Sequence, residues 1–429
     1  MLFSKITILD ENLEIKENRF VGIQGDRIDY VGETKPEKDY GRIVDGKGKL
    51  LMSGFYNSHA HSPMTLLRGY GENLPLDRWL NERIFPFEDK LNERAVYGGT
   101  LLAMAESLRY GIVSTTDMYC FCEDMVRAVS ESGAKDNIGR GITNFTGGPL
   151  WELAGADEMK ELFEKYHGAA DGRVRIDMSL HAEYTNDEQT VRAMAAYTKE
   201  IGAHMHVHVS ETKKEHEECK ARHGGKTPTT FLNDCGLFDT PTTAAHCVWV
   251  EEEDRIIMKE KNVTVAVNPV SNMKLASGVC DVKRLLDAGI NVTIGTDSVA
   301  SNNSLNFIEE MKVFALAPKM MYADPAAITP RQVLASATVN GAKAQGREDC
   351  GLLKEGYKAD LILLDIDVPW MYPVHDLCHN LVYSASGSDV VMTLVDGKVL
   401  YEKGEFTTID IEKTVDLVKE ETARILSAL

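Results

Sequence analysis

The sequence predicts an α/β protein: a (β/α)8 TIM-type barrel with a small β-sandwich domain built from both ends of the chain. Two observations carry this expectation. Between residues 54 and 345, eight short β-prone stretches alternate with helix-like ones. Outside that span, apolar and polar residues alternate with no helix to cover them.

Residues 1–53 read as short strands at 20–24, 27–31 and 42–45, broken at Gly25-Asp26 and Gly46. A sheet this small needs a partner layer. Residues 360–365 and 390–396 supply one, so 1–53 and 346–405 are expected to form one antiparallel domain. The first barrel strand is the apolar run Gly54-Phe55-Tyr56-Asn57-Ser58-His59-Ala60-His61. Seven more are expected at 111–117, 137–142, 174–181, 204–209, 243–246, 263–269 and 291–297. Helices are expected between them at 95–109, 187–200, 251–261 and 305–321. Ile411, Val415, Val418, Ile425 and Leu429 recur at helical spacing, which predicts a terminal helix within 406–429 that packs by this face.

Composition narrows the function. At 429 residues and 43% apolar content, the chain suits a globular protein with one large core and a smaller one. Its 66 acidic against 47 basic residues leave a net charge of −19, which repels phosphate backbones and anionic membranes. A nucleic-acid or membrane partner is therefore not expected, and a small neutral or zwitterionic substrate fits. The eight cysteines are scattered without CxxC spacing, as in a cytoplasmic protein with reduced thiols. Charges interrupt residues 1–11 before a signal-peptide core could form, and no stretch approaches the ~20 apolar residues of a membrane span.

The chemistry starts at His59 and His61. On a strand, residues i and i+2 share a face, so both imidazoles can meet one cation, whereas a helix would separate them by about 200°. In isolation such a pair also fits a strand-end cap. The later strand ends add His181, His208, His246 and Asp297, and barrel enzymes build their sites at that end.

Taken together, residues 55–61, the His208-Val209-Ser210-Glu211-Thr212 element, the His246 strand and Gly295-Thr296-Asp297 resemble the mononuclear-metal branch of the amidohydrolase superfamily. The likeness is greatest to its adenosine-type deaminases and extends through 268–278, 300–305 and 337–342. The resemblance implies that His59, His61, His208 and Asp297 hold one divalent ion, zinc or alternatively Fe2+. Imidazoles with a carboxylate suit zinc, and such an ion lowers the pKa of its water toward ~7. Ser179-Leu180-His181 ends strand four without a metal-bridging lysine, so a single ion is expected. The resemblance also makes His246 the group that orients water, Glu211 the proton donor to a ring nitrogen, and Asp297 the relay to the departing amine.

For the pocket, 64–69, 76–80 and 85–88 resemble a lid and ribose-binding region. Trp79 would cover the substrate, Glu88 would accept from two ribose hydroxyls, and His181 would contact purine or sugar. Trp79 also reads as a helix core residue, and Glu88 as a solvated carboxylate. Arg140 is the expected cation for an amino-acid carboxylate, but 146–151 offers no second arginine. Methylthioadenosine, 5′-deoxyadenosine and adenosine therefore rank above S-adenosylhomocysteine. Leu150 and Trp151 either line an apolar 5′-pocket or belong to the core. Guanine deaminases and s-triazine hydrolases share the metal core and stand as alternatives, although a ribose acceptor at Glu88 has no purpose on a triazine. A homo-oligomer is expected from the habit of such barrels.

Overall fold

The computed structural model describes residues 1–429, apart from the side chain of residue 154. The chain opens with β1 (Leu2–Leu9), β2 (Ile15–Gln24), β3 (Arg27–Gly32), β4 (Ile43–Asp45) and β5 (Lys49–Ser53). The barrel strands follow as β6 (Phe55–Ala60), β7 (Ile112–Tyr119), β8 (Lys135–Arg140), β9 (Val174–Ile176), β10 (Met178–Ala182), β11 (Met205–Val209), β12 (Thr242–His246), β13 (Thr264–Val267) and β14 (Asn291–Ile294). The chain returns through β15 (Leu361–Asp365), β16 (Val390–Val395), β17 (Lys398–Glu402) and β18 (Glu405–Phe406).

The barrel strands run parallel in two ladders, β6-β7-β8-β9 and β10-β11-β12-β13-β14. The fourth strand, expected as one run, is divided. β9 pairs with β8 and β10 with β11, and at the break the Asp177 N–H turns to the Ile138 carbonyl at 3.0 Å. Single bridges join the ladders at both edges, Ile142 to Leu180 and Ala60 to Asp297. At the second seam Asn57 ties the first strand to the last: its Nδ2 donates to Thr296 Oγ1 at 2.7 Å, and its Oδ1 accepts from the Thr296 N–H at 3.0 Å. Every residue of β6, β7 and β11 is buried, as in parallel strands covered on both faces.

Helices lie where the apolar spacing puts them, including Glu93–Arg109, Glu188–Ile201, Glu252–Glu260 and Phe307–Tyr322. Asn92 and Asp187 cap the first two by accepting from backbone N–H groups three residues on. The terminal helix Ile411–Leu426 packs against Glu93–Arg109 at Gly98, where an added Cβ would lie 2.9 Å from the Leu417 side chain. Leu429 falls outside it and is 54% exposed, contrary to its expected place on the packing face.

The small domain differs from a purely antiparallel sandwich. Its strands form one nine-stranded mixed sheet in the order β18-β17-β16-β15-β5-β1-β2-β3, with β4 beside β1, and β1 runs parallel to both β4 and β5. The two faces of this sheet join different cores. Phe3, Val21, Ile28, Leu51, Leu361 and Met392 enclose a core of their own, while the alternate residues Leu50, Met52, Ile362 and Leu364 join the barrel core. A buried ion cluster fastens the two units. Lys135, at the start of β8, pairs with Asp360 and, at 2.8 Å, with Asp396, and Tyr56 donates to Asp360 at 2.9 Å.

Candidate active site

The C-terminal ends of the barrel strands bring His59, His61, His208, His246 and Asp297 together. Ring nitrogens of His59, His61 and His208 lie within 4.8 Å of one another, as do those of His59 and His246 with an Asp297 oxygen. Asp297 Oδ1 is 3.5 Å from His59 Nε2 and 3.3 Å from His61 Nε2. The backbone bends sharply to achieve this. Ser210, His246, Cys247 and Asp297 all have left-handed φ, between 48° and 72°, a conformation that costs a non-glycine residue about 1–3 kcal/mol. Gly295 permits the close approach of the last strand, since a Cβ there would meet Asn268 Oδ1 at 2.2 Å and His59 Cβ at 2.9 Å.

Each imidazole is held through its Nδ1, which leaves Nε2 toward the centre. His61 Nδ1 bonds the Met118 carbonyl and His208 Nδ1 the His181 carbonyl, both at 2.6 Å. His59 Nδ1 meets His206 Nε2 at 2.9 Å, and His246 Nδ1 meets Asn272 Oδ1 at 2.8 Å. Asp297 is fixed by Ser271 and Ser301 on Oδ2 and by the Ser298 N–H on Oδ1.

These residues fit a bound cation on their own chemistry. His59 Nε2 is fully buried without a hydrogen-bond partner, a position that a cation would satisfy. Burial lowers the pKa of His59 to about 3 and of His208 well below its ordinary value, so both imidazoles are neutral, as a metal site requires. His61 is held up at about 9: burial alone would lower it, but the Asp297 carboxylate outweighs burial. Asp297 is correspondingly driven well below the carboxylate range, against its burial, by His59 and His61.

Above this centre opens a cavity of about 440 Å³. Its lining includes each residue expected to touch substrate: Trp79, Glu88, Arg140 and His181, together with Glu211 and His246. Burial raises the Glu211 carboxyl above its usual pKa despite the charge of His246 nearby. Ser277 Oγ donates to Glu211 Oε1 at 3.2 Å, and His246 Nε2 stands 3.8 Å from Oε2. Glu215, four residues on, accepts from the Ser210 and Glu211 N–H groups at 2.9 and 2.7 Å and so holds the turn that aims Glu211. Glu88 is likewise raised by burial, partly offset by Tyr119, whose OH donates to Oε1 at 2.7 Å. His181 falls to about 4 through burial and is neutral. Trp79 is 5% exposed and precedes a π-helical turn, Leu80–Ile84, a distortion often found at functional sites.

Leu150 and Trp151 do not line the cavity. Leu150 is buried in the core, and Trp151, partly buried, packs against that core edge-on to Tyr197 at 4.7 Å. Sequence reasoning passed over His206, Tyr119, Asn272 and Glu215. His206 carried a signal: in His206-Val207-His208 it repeats the spacing that singled out His59 and His61.

Barrel, strand-end histidines and aspartate together define a class, and residues 50–400 match the Amidohydrolase family. The chain belongs to that family. A relative from Thermoanaerobacter pseudethanolicus named 5-methylthioadenosine/S-adenosylhomocysteine deaminase is 39% identical over 429 residues, 99% of each chain. One from Methanosarcina mazei named 5'-deoxyadenosine deaminase is 41% identical over 408 residues, covering 94% of this chain and 92% of that one. Among solved structures, an adenosine deaminase from Xanthomonas campestris with bound zinc superposes with a TM-score of 0.92 at 28% identity, covering 99% of this chain and 98% of its own. No described helix is long and apolar enough to cross a membrane.

Proposed function

We propose that this chain is a metal-dependent aminohydrolase that converts adenosine derivatives to the inosine analogues and ammonia. The observation that carries this reading is one cavity joining the His59, His61, His208 and Asp297 cluster, the buried Glu211 carboxyl and the Tyr119-tethered Glu88. The full-length relatives named as deaminases of such nucleosides support it.

His59, His61, His208 and Asp297 would hold the divalent ion, zinc in keeping with their donor set or Fe2+ in its place. An ion held there would supply an acidified water as the nucleophile at neutral pH. His246, its Nδ1 engaged by Asn272, presents Nε2 to that water and orients it. Glu211 delivers a proton to the ring nitrogen beside the attacked carbon and regains one from the attacking oxygen as the carbonyl forms. Asp297 passes the water's proton to the amine, which leaves as ammonia.

The tether on His59 gives a direct test of the metal set. His206→Leu leaves His59 Nδ1 unpaired, and metal affinity, read by chelator competition, is expected to fall about 10- to 100-fold. An unchanged affinity would show that the His206 tether does not position His59 for the metal.

At the other end of the cavity, Glu88 keeps Oε2 free of Tyr119 for ribose hydroxyls. Glu88→Gln should lower kcat/KM for adenosine at least ~tenfold while leaving 2′,3′-dideoxyadenosine nearly unaffected. An equal loss on both would deny Glu88 the ribose. Arg140 is the one lysine or arginine among the described lining residues, which favours methylthioadenosine, 5′-deoxyadenosine and adenosine over S-adenosylhomocysteine. Residues 54–345 would form the catalytic unit, with 1–53 and 346–405 as the small domain and the helix within 406–429 as a brace. All eight cysteines are free, in keeping with a cytoplasmic location.

A further inference from the structure

Arg140 does not reach the cavity as a free cation. Its Nε donates to Glu158 Oε2 at 3.0 Å, and its Nη1 donates to the Gly141 carbonyl at 3.1 Å. The Nε and Nη2 edge, which would grip a carboxylate with two parallel bonds, packs against the helix Ala154–Tyr166: a Cβ at Gly155 would lie 3.5 Å from both nitrogens. Glu158 is itself fixed from behind, its Oε1 accepting the Cys122 N–H at 3.2 Å. The remaining charges of the lining are Glu88, Asp89, Glu211 and Asp297, all acidic apart from the histidines.

We propose that Glu158 is a specificity-determining residue: by engaging the guanidinium of Arg140, it directs the enzyme to adenosine derivatives with neutral 5′-groups and against those carrying a carboxylate. This rests on the deaminase reading and deepens it. Glu158 does not line the cavity, so it acts through Arg140 and is a positioning residue. A carboxylate entering the wild-type site meets a cation whose charge is already matched by Glu158 and whose Nε and Nη1 each already donate a hydrogen bond. It must either displace Glu158 or accept a poorer contact.

Glu158→Gln tests this, because the amide oxygen can still accept the Cys122 N–H while the negative charge is gone. Three substrates are compared by ammonia release with metal-loaded protein: 5′-deoxyadenosine, S-adenosylhomocysteine, and the decarboxylated analogue that keeps the thioether and amine. The ratio of kcat/KM for S-adenosylhomocysteine over the decarboxylated analogue is expected to rise at least ~tenfold, and the rise should vanish in the Arg140→Ala, Glu158→Gln double variant. Glu158→Ser serves as a second variant with the same expected direction. A ratio that rises less than tenfold in both, or a rise that survives loss of Arg140, overturns the proposal. A general loosening of the pocket would favour both thioethers alike and leave the ratio still, which also counts against it. Failure of the underlying reading looks different: wild-type protein would then release no ammonia from 5′-deoxyadenosine at all.

Discussion

Glu211→Gln is expected to retain its full complement of metal and to lose roughly three orders of magnitude in kcat. The carboxyl lines the cavity and is buried, and burial keeps its pKa above the ordinary carboxylate value, which favours the protonated form that a donor to the ring nitrogen needs. Glutamine preserves the volume and the acceptor for Ser277 but cannot cycle a proton. The histidine and aspartate cluster is expected to stay intact because Glu211 belongs to none of the three metal-competent groups. Metal analysis and single-turnover ammonia release on one preparation separate the two effects. Near wild-type turnover in the metal-replete variant would remove Glu211 from the chemistry, and loss of metal would mean that it stabilises the ligand set instead.

The second large effect concerns stability. Lys135→Met leaves Asp360 fully buried without its main counter-charge and is expected to cost about 3–5 kcal/mol, read from the denaturant midpoint. Lys135 is 3% exposed and Asp360 0% at the side chain, so solvent does little to screen the pair. Burial alone would raise the Asp360 carboxyl, but Lys135 and the Asp396 N–H hold it below its ordinary value. Because its folded pKa is depressed, the contribution is fully present above about pH 4, and it is lost as the pH falls through the lower folded value. The Lys135→Met, Asp360→Asn double variant should recover part of the loss. A single variant within ~1 kcal/mol of wild type would show that the cluster does not secure the small sheet to the barrel.

The fold was legible where periodicity alone decides it. The alternation of eight apolar runs with helical segments is local information, and the His59 and His61 pairing follows from strand geometry over three residues. The parallel pairing of β1 with β5 was not legible, because a strand alternates apolar and polar residues in the same way whichever direction its neighbour runs. The divided fourth strand depends on where Asp177 finds its backbone partner, which lies on another strand. In the site, strand-end position places His208, His246 and Asp297. Tyr119 stands 31 residues from Glu88, and Asn272 26 residues from His246, so nothing in the local sequence joins them. They meet because the barrel brings loops from different strands over one rim.

The measurement that tests the account most directly is ammonia release by zinc-loaded protein from adenosine, methylthioadenosine, 5′-deoxyadenosine, S-adenosylhomocysteine, guanine and a chlorotriazine in parallel, with metal quantified on the same sample. About one metal ion per chain is expected, with turnover confined to the adenosine derivatives and S-adenosylhomocysteine the poorest of them. Activity restricted to guanine or the triazine, or none at full metal occupancy, would contradict it.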